Sequence, residues 1–361
     1  MKTKVAIIGA GPAGSSAAIA LSKKGIPNIL IDKRGVVGIP VQCAEFVGLN
    51  INSYVDLNNI PSAINQKIKF MDIYAGKNFY RFNGKGYVLN RAVFDRHLAG
   101  EAVKTGSKLL TAARVYRINR QKNSIDVLSA EEKIMYEIYY DYLIAATGPK
   151  NGFGYPKNGA YIYATQIKTD LLKELDSVIC YFRTYIPYGY GWVFPKGKFA
   201  NVGIGIEKPA SDMPLSLSFN KFLNEIRSTG LIGLKIIEKT SGLVPVSGLN
   251  EITDGNIALC GDAAGLTHPV TGAGILSAVI SGGLAGDYAA ESVKASKNLF
   301  EDYKEELESV FKKSLSNAAK KRSELYPLMT DDLSIEKNIK QLWPSFEEYY
   351  KPKSRFRKFY I

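Results

Sequence analysis

Ten residues near the start of the chain, Val5-Ala6-Ile7-Ile8-Gly9-Ala10-Gly11-Pro12-Ala13-Gly14, restrict its fold more than any other stretch. Four apolar residues run into glycines spaced G-x-G-x-x-G, and a helical pattern follows. Gly9 permits the tight turn out of a strand, Gly11 lets the backbone approach a pyrophosphate, and Gly14 lets the helix pack close to the sheet. Pro12 suits a first helical turn, where its missing N–H is not needed. From Ala13 onward the helix N-terminus offers free N–H groups and a partial positive charge to phosphates.

The glycine spacing alone is a weak signal, and its context strengthens it. The helix over Ala13 to Lys24 stops at Gly25, and a second apolar run, Asn28-Ile29-Leu30-Ile31, ends on Asp32. That acid follows Gly14 by roughly the 20-residue interval at which a ribose-binding carboxylate belongs. Met1-Lys2-Thr3-Lys4 before an apolar stretch also resembles a secretory signal. Three glycines and a proline break that stretch, and it runs on into Lys23 and Lys24, so we read a dinucleotide-binding strand–helix–strand unit instead.

A chain of 361 residues, 46% hydrophobic and 22% charged, can bury a large core and divide into two domains. Its three cysteines, Cys43, Cys180 and Cys260, are sparse and lack C-x-x-C spacing, which argues for a reducing compartment and against a disulfide framework or zinc site. Two histidines, His97 and His268, argue against a histidine-rich metal site. The longest apolar candidate for a membrane span, Ile257 to Ala285, is cut by Asp262, His268 and Pro269. The expectation is a cytoplasmic protein, soluble or peripheral on the inner membrane face. A net charge of +13 points to an acidic partner: an anionic membrane, an acidic protein or a phosphorylated substrate. No nucleic-acid-binding module is recognisable.

Cys43 lies in a glycine- and proline-bearing loop, Lys33 to Glu45, beside the dinucleotide site; a buried filler and a functional thiol both fit it. Residues 67–90 alternate, carry aromatics and read as strands of a second sheet. Arg91 opens a helix running to Thr105, a place where a cation is mildly unfavourable unless a phosphate or flavin contact explains it. Residues 114–128 and 133–145 suggest a hairpin whose apolar end runs into Ala146-Thr147-Gly148, again a close backbone approach at a parallel-sheet edge. Residues 149–160 read as a linker. From Tyr161 to about Ser247 the second sheet resumes; Tyr190, Trp192 and Phe194 share one strand face, as a core wall or as the wall of a flat or apolar ligand site. The chain then returns through Asn256-Ile257-Ala258-Leu259-Cys260-Gly261-Asp262 and a helix beginning near Gly272. Asp262 can accept hydrogen bonds from a ribityl chain, and that helix offers its N-terminus to a developing negative charge. His268, between these elements, reads as structural. Residues 299–326 are charged and helical. The tail Lys351 to Ile361 interleaves basic and aromatic residues without an acid, as a solvated terminus or as a foot on an anionic membrane.

Together these residues resemble the hydroxylase-like FAD-dependent oxidoreductases: the Gly9–Gly14 fingerprint with Asp32, Arg91 with Phe94-Asp95, the Ala146-Thr147-Gly148 strand end and Gly261-Asp262. Within that group, Pro40-Val41-Gln42-Cys43-Ala44-Glu45, Tyr190-Gly191-Trp192-Val193-Phe194-Pro195 and Gly261-Asp262-Ala263-Ala264-Gly265 with Pro269 and Gly272 look like the geranylgeranyl reductase family, in its archaeal form. The resemblance covers about residues 1–290. It implies an α/β fold: a Rossmann-type FAD-binding domain, an inserted antiparallel-sheet substrate domain and a helical C-terminal region. The corresponding spans are 1–66, 91–150 and 251–290 for FAD, 67–90 and 151–250 for substrate, and 291–361 for the C-terminal helices and basic tail.

The cofactor-binding residues it implies are Gly9, Gly11, Pro12, Ala13 and Gly14; Asp32, Lys33 and Arg34; Cys43 and Ala44; Arg91; Thr147 and Gly148; Gly261 and Asp262; and Gly272, Ala273 and Gly274. The implied activity is reduction of isolated C=C bonds in an isoprenoid lipid. An unconjugated alkene is a poor hydride acceptor, so such chemistry needs a positioned acid, a water-poor pocket and faces that stabilise positive charge. Tyr190 and Trp192 can supply the faces through cation–π attraction, and Cys43 or a bound water the proton. Two departures from the family pattern are present: Gly148-Pro149-Lys150-Asn151 stands where a D-G segment is usual, and the region after Ala290 is short. The same scaffold also serves flavin monooxygenases, halogenases and non-enzymatic prenyl-binding escorts. No second G-x-G-x-x-G follows a strand, which leaves an acidic ferredoxin or transiently bound NAD(P)H as electron donor.

Overall fold

Short strands without a polar face can be buried only inside a sheet covered on both sides. Val5–Ile8 and Asn28–Ile31 are such runs, buried at every position. In the computed structural model, which describes residues 1–149, 160–207 and 213–351, they lie in a six-stranded sheet. Its order is Thr253–Asp254, Ile257–Leu259, Tyr142–Ala145, Val5–Ile8, Asn28–Ile31 and Lys108–Leu110, with all neighbours parallel except the first pair.

Among the described residues six α-helices accompany the sheets: α1 (Pro12–Lys23), α2 (Arg91–Lys104), α3 (Leu215–Ser228), α4 (Ile275–Ala295), α5 (Phe300–Leu325) and α6 (Asp332–Leu342). The small residues of α4 mark a close contact with α1. A Cβ on Gly282 would stand 2.0 Å from the Ala13 carbonyl oxygen, and one on Gly286 2.4 Å from that of Ala17. Backbone meets backbone there, which no larger residue permits.

The second sheet has eight strands, in the order Ile232–Pro245, Tyr161–Leu171, Phe199–Glu207, Tyr190–Lys196, Ser177–Phe182, Ile64–Ala75, Asn78–Leu89 and Phe46–Gly48. It is not wholly antiparallel: Ser177–Phe182 runs parallel to Ile64–Ala75. Its two faces follow the alternation of the strands. Val193, Val202, Ile204 and Ile206 pack under Phe219, Phe222 and Ile226 of α3. Trp192, Phe194, Cys180 and Phe182 face the other way, against Ile335, Ile339 and Leu342 of α6 and the following Trp343.

The structure redraws two expected elements. The hairpin over 114–128 and 133–145 is three strands, Ala113–Asn119, Ser124–Ser129 and Met135–Tyr139, forming a separate small sheet, while Tyr142–Ala145 joins the parallel sheet. The chain changes sheets at Tyr140-Asp141: the N–H of Tyr140 still bonds to Asn123, whereas those of Asp141 and Tyr142 bond to Lys4. α4 begins at Ile275 rather than near Gly272. Gly272 adopts φ +69° and its N–H closes a turn onto the His268 carbonyl, so the helix cannot start before that turn ends. The expected linker over 149–160 and the basic tail lie, except for Pro149, Ala160 and Lys351, outside the described residues.

Candidate active site

The glycine turn makes an open cradle at the start of α1. Gly9 takes φ +102°, and a Cβ there would sit 2.2 Å from the Ala146 carbonyl oxygen; one on Gly14 would sit 1.8 Å from that of Gly9. Gly11 differs: it has ordinary extended backbone, and nothing stands within 4 Å of where its Cβ would be. No side chain caps α1, so its first N–H groups face that open space. Across the cradle, Thr147 Oγ1 is buried without a hydrogen-bond partner, and Gly148 turns away at φ +74°. Open space at Gly11, uncapped N–H groups and an orphaned hydroxyl fit a pyrophosphate-bearing dinucleotide such as FAD.

Asp32 closes the second strand. Its Oδ2 accepts the Ala10 N–H and its Oδ1 the Arg34 N–H, both at 2.8 Å, so it braces the glycine turn. Lys33 is exposed and Arg34 half-buried.

Cys43 is half-buried in a turn bolted to the second sheet. Gln166 donates to the Cys43 carbonyl at 2.8 Å and accepts from Trp192 Nε1 at 3.2 Å. Asn201 donates to the Ala44 carbonyl at 3.2 Å and to Glu45 Oε2 at 2.8 Å. The Glu45 side chain, 2% exposed, also receives Lys196 on Oε2 and the Arg91 N–H on Oε1. Glu45 itself stands at φ +75°, a conformation that costs a non-glycine residue on the order of 1–3 kcal/mol. Its N–H points at Cys43 Sγ, 3.2 Å away. Burial pushes the Cys43 thiol above its ordinary value, Arg91 opposes this, and the thiol keeps its proton at neutral pH.

Arg91 has its placement explained within the chain. Its guanidinium binds Asp95, one turn on, through both Nε and Nη2 at 2.8 and 2.9 Å. Burial disfavours that charge, but Asp95 and Glu45 outweigh it and the guanidinium is held firmly cationic. The same charge reaches Asp262, whose carboxyl is raised by burial and lowered by Thr267 and Arg91. Asp262 Oδ1 already accepts from Thr267 Oγ1 at 2.7 Å, so only part of its capacity faces the cradle. Gly261 lies where the starts of α1 and α4 meet: a Cβ there would touch Ala13 and Ala278 at 3.1 and 3.5 Å.

The loop from His268 to Gly274 leads into α4. His268 Nδ1 accepts the Thr271 N–H at 3.2 Å, and its backbone bonds Gly272 and Ala273. Burial lowers its pKa to about 4, so this histidine is a neutral brace. Tyr190 donates its hydroxyl proton to the Thr271 carbonyl at 2.6 Å, and burial raises it well above the usual phenol range. That proton is engaged, which makes Tyr190 a wall. Its ring meets Trp192 and Trp343 edge-on, at 5.9 and 5.2 Å between centroids.

Cys43, Arg91 and Asp262 thus lie within electrostatic reach of one another, Trp192 joins them through Gln166 and Tyr190 through the Thr271 loop, and Gly261 beside Asp262 abuts the start of α1. Sequence reading missed the groups that hold them there. Glu45, Gln166, Lys196 and Asn201 are ordinary polar residues on strands or a loop, and the bonds from the last three to the Cys43–Glu45 turn span more than a hundred residues of chain. A polar residue at a buried register position, as Asn201 is within Phe199–Glu207, was the available signal.

Profiles of three families match the chain: pyridine nucleotide-disulphide oxidoreductase over residues 3–178, geranylgeranyl reductase catalytic domain over 160–244, and lycopene cyclase protein over 208–361. A digeranylgeranylglycerophospholipid reductase of Methanococcus aeolicus is 34% identical over 358 residues, covering 93% of this chain and 86% of its own. The crystal structure of a geranylgeranyl bacteriochlorophyll reductase-like protein of Thermoplasma acidophilum superposes with a TM-score of 0.83 at 26% identity, covering 95% of this chain and 97% of that one. A flavin-dependent brominase, 17% identical with a TM-score of 0.71 over 95% of this chain and 91% of its own, shares the fold. By its identity to the first of these over nearly its whole length, the chain belongs to the digeranylgeranylglycerophospholipid reductase family.

Proposed function

We propose that the chain is an FAD-dependent reductase that saturates isolated C=C bonds in the geranylgeranyl chain of a membrane ether-lipid precursor. The observation that carries this reading is the juxtaposition of a protonated thiol, Cys43, with an aromatic wall, Tyr190 and Trp192. When bound, reduced FAD supplies the hydride for one carbon of the double bond. The other carbon needs a proton, which the Cys43 Sγ–H, or a water held by it, can deliver. Positive charge growing on the alkene faces the Tyr190 and Trp192 rings, an attraction worth about 2 kcal/mol when desolvated. Gly9, Gly11, Pro12, Ala13 and Gly14 would hold the pyrophosphate, with Asp32, Lys33 and Arg34 on the adenosine side. Ala44, Arg91, Thr147, Gly148, Gly261, Asp262 and the Gly272-Ala273-Gly274 segment would line the rest of the cofactor.

The proposed division of labour assigns FAD to residues 1–66, 91–150 and 251–290, substrate to 67–90 and 151–250, and the remainder to a C-terminal cover. Membership of the two large sheets supports it apart from Phe46–Gly48 and residues 64–66, which lie in the eight-stranded sheet with the substrate strands. The net charge of +13 supports an acidic electron donor and a peripheral contact with anionic lipid. Among the described residues no helix is long and apolar enough to cross a membrane. The test is mass spectrometry of lipids from a host that makes unsaturated isoprenoid ether lipids and expresses this chain. Mass gains of two hydrogens per double bond are expected; an unchanged lipid profile with a flavin-loaded protein and a competent reductant would overturn the reading.

A further inference from the structure

We propose that Glu45 is a positioning residue for Cys43: its clamped carboxylate holds a left-handed turn whose N–H is aimed at the Cys43 sulfur. The inference rests on the reading of Cys43 as the group beside the reacting double bond. A glycine would adopt φ +75° without strain, yet this position carries a glutamate whose side chain is 2% exposed. The side chain therefore contributes something that offsets the strain, and its contacts show what. Oε1 takes the N–H of Arg91 at the start of α2, and Oε2 takes Lys196 and Asn201 from two neighbouring strands of the large sheet. The backbone of the same turn is fixed by Asn201 on the Ala44 carbonyl and by Leu89, whose N–H bonds the Glu45 carbonyl at 2.8 Å. So clamped, the peptide N–H of Glu45 has one direction open to it, and Cys43 Sγ stands there at 3.2 Å.

The charged and titratable groups that face the thiol are Arg91 and Asp95 on α2, Glu45 on its own turn and Tyr190 on the large sheet. The Glu45 carboxylate and its N–H act on Cys43 in opposite senses. The negative charge disfavours a thiolate, whereas the N–H bond favours one. This separates positioning from bare charge. If Glu45 mattered only as a charge, Glu45→Gln would lower the pH at which Cys43 ionises. Glu45→Gln therefore reads mainly the charge, whereas Glu45→Asp keeps the charge but is too short to hold its partners; if Glu45 aims the N–H, the aspartate frees the turn, the N–H bond is lost, and the ionisation midpoint rises.

The experiment follows iodoacetamide alkylation of Cys43 in the FAD-loaded protein against pH, read peptide by peptide. Cys180 and Cys260, each 1% exposed, report unfolding. The midpoint is expected to rise by about one pH unit in Glu45→Asp, the scale of one hydrogen bond to a charged sulfur. Asn201→Leu, which changes no charge, is expected to shift it the same way by less, and it decides the question should Glu45→Asp fail to fold. With lipid substrate, kcat is expected to fall about tenfold at unchanged KM, the mark of a group acting only as the bond reacts. An unchanged or lowered midpoint in the folded variant would overturn the proposal. A raised midpoint with undiminished prenyl reduction keeps the positioning role and instead removes Cys43 from the chemistry.

Discussion

Cys43 combines two properties: a turn fixed by three side chains from elsewhere and a thiol that burial keeps protonated. A proton donor needs both, because the proton must be present and must point at the substrate. Cys43→Ala is expected to fold and to retain FAD, since the turn is held through the Cys43 carbonyl, Ala44 and Glu45. Prenyl reduction should fall by about 100-fold, the scale for losing an acid–base group, and Cys43→Ser should be intermediate. Flavin reduction by dithionite should be unchanged in both. Full prenyl-reducing activity in Cys43→Ala would transfer the proton to a bound water. Cys43 itself was legible in the sequence because it sits in a loop next to a recognisable glycine turn. The residues that orient it were not. Asn201 reaches Glu45 across 156 positions of chain, and no local pattern distinguishes that asparagine from one satisfied by solvent. Arg91 was legible as an oddity, a cation at a helix start, but its explanation is the Asp95 pair four residues on rather than a ligand alone.

α1 and the turn before it separate folding from binding cleanly. At Gly14 a side chain would run into the Gly9 backbone at 1.8 Å, so any substitution there should damage the fold itself. At Gly11 the backbone is extended with φ −75°, and nothing of the protein stands within 4 Å. Gly11→Val should therefore fold as the parent does while its isopropyl group fills the phosphate position. FAD affinity should drop by about tenfold or more, the loss of one or two phosphate–amide bonds. Flavin absorbance after dialysis, with apoprotein unfolding curves alongside, checks it; full flavin content in the valine variant would move the phosphate site elsewhere. Elements of this kind were the most readable. The bounds of α2 and α5 match the sequence pattern to within a residue or two because capping and periodicity are local signals. The strand Tyr142–Ala145 was readable as a strand, but the sheet change just before it was not. Which sheet a four-residue strand joins depends on Lys4 and Asn256, which neighbour it only in space.

At the scale of the whole molecule the question is what keeps the two sheets in register over a site assembled from both. Much of the answer passes through Arg322 on α5, 5% exposed. Its Nε and Nη2 grip Glu207 at 3.0 and 2.7 Å, Nη1 donates to the Pro269 carbonyl at 3.1 Å, and Nη2 donates to the Tyr188 carbonyl at 2.6 Å. Those partners belong to the end of a large-sheet strand, to the loop that carries Gly272 to Gly274, and to the approach of the Tyr190 strand. One planar guanidinium satisfies all three because its donors diverge in a fixed fork. Arg322→Leu would keep much of the packing against Tyr326 but leave a half-buried carboxylate and two carbonyls without their partner. The expected loss of stability is about 3–5 kcal/mol, read from urea unfolding of the apoprotein. FAD should also dissociate faster from the folded variant, since the Pro269–Gly274 loop loses its tether, while the Cys43 alkylation profile stays that of the parent. Arg322→Lys should rescue little, because a single ammonium cannot reach three diverging acceptors. Unfolding curves for Arg322→Leu that superimpose on the parent's would show that Arg322 does not hold the two sheets together.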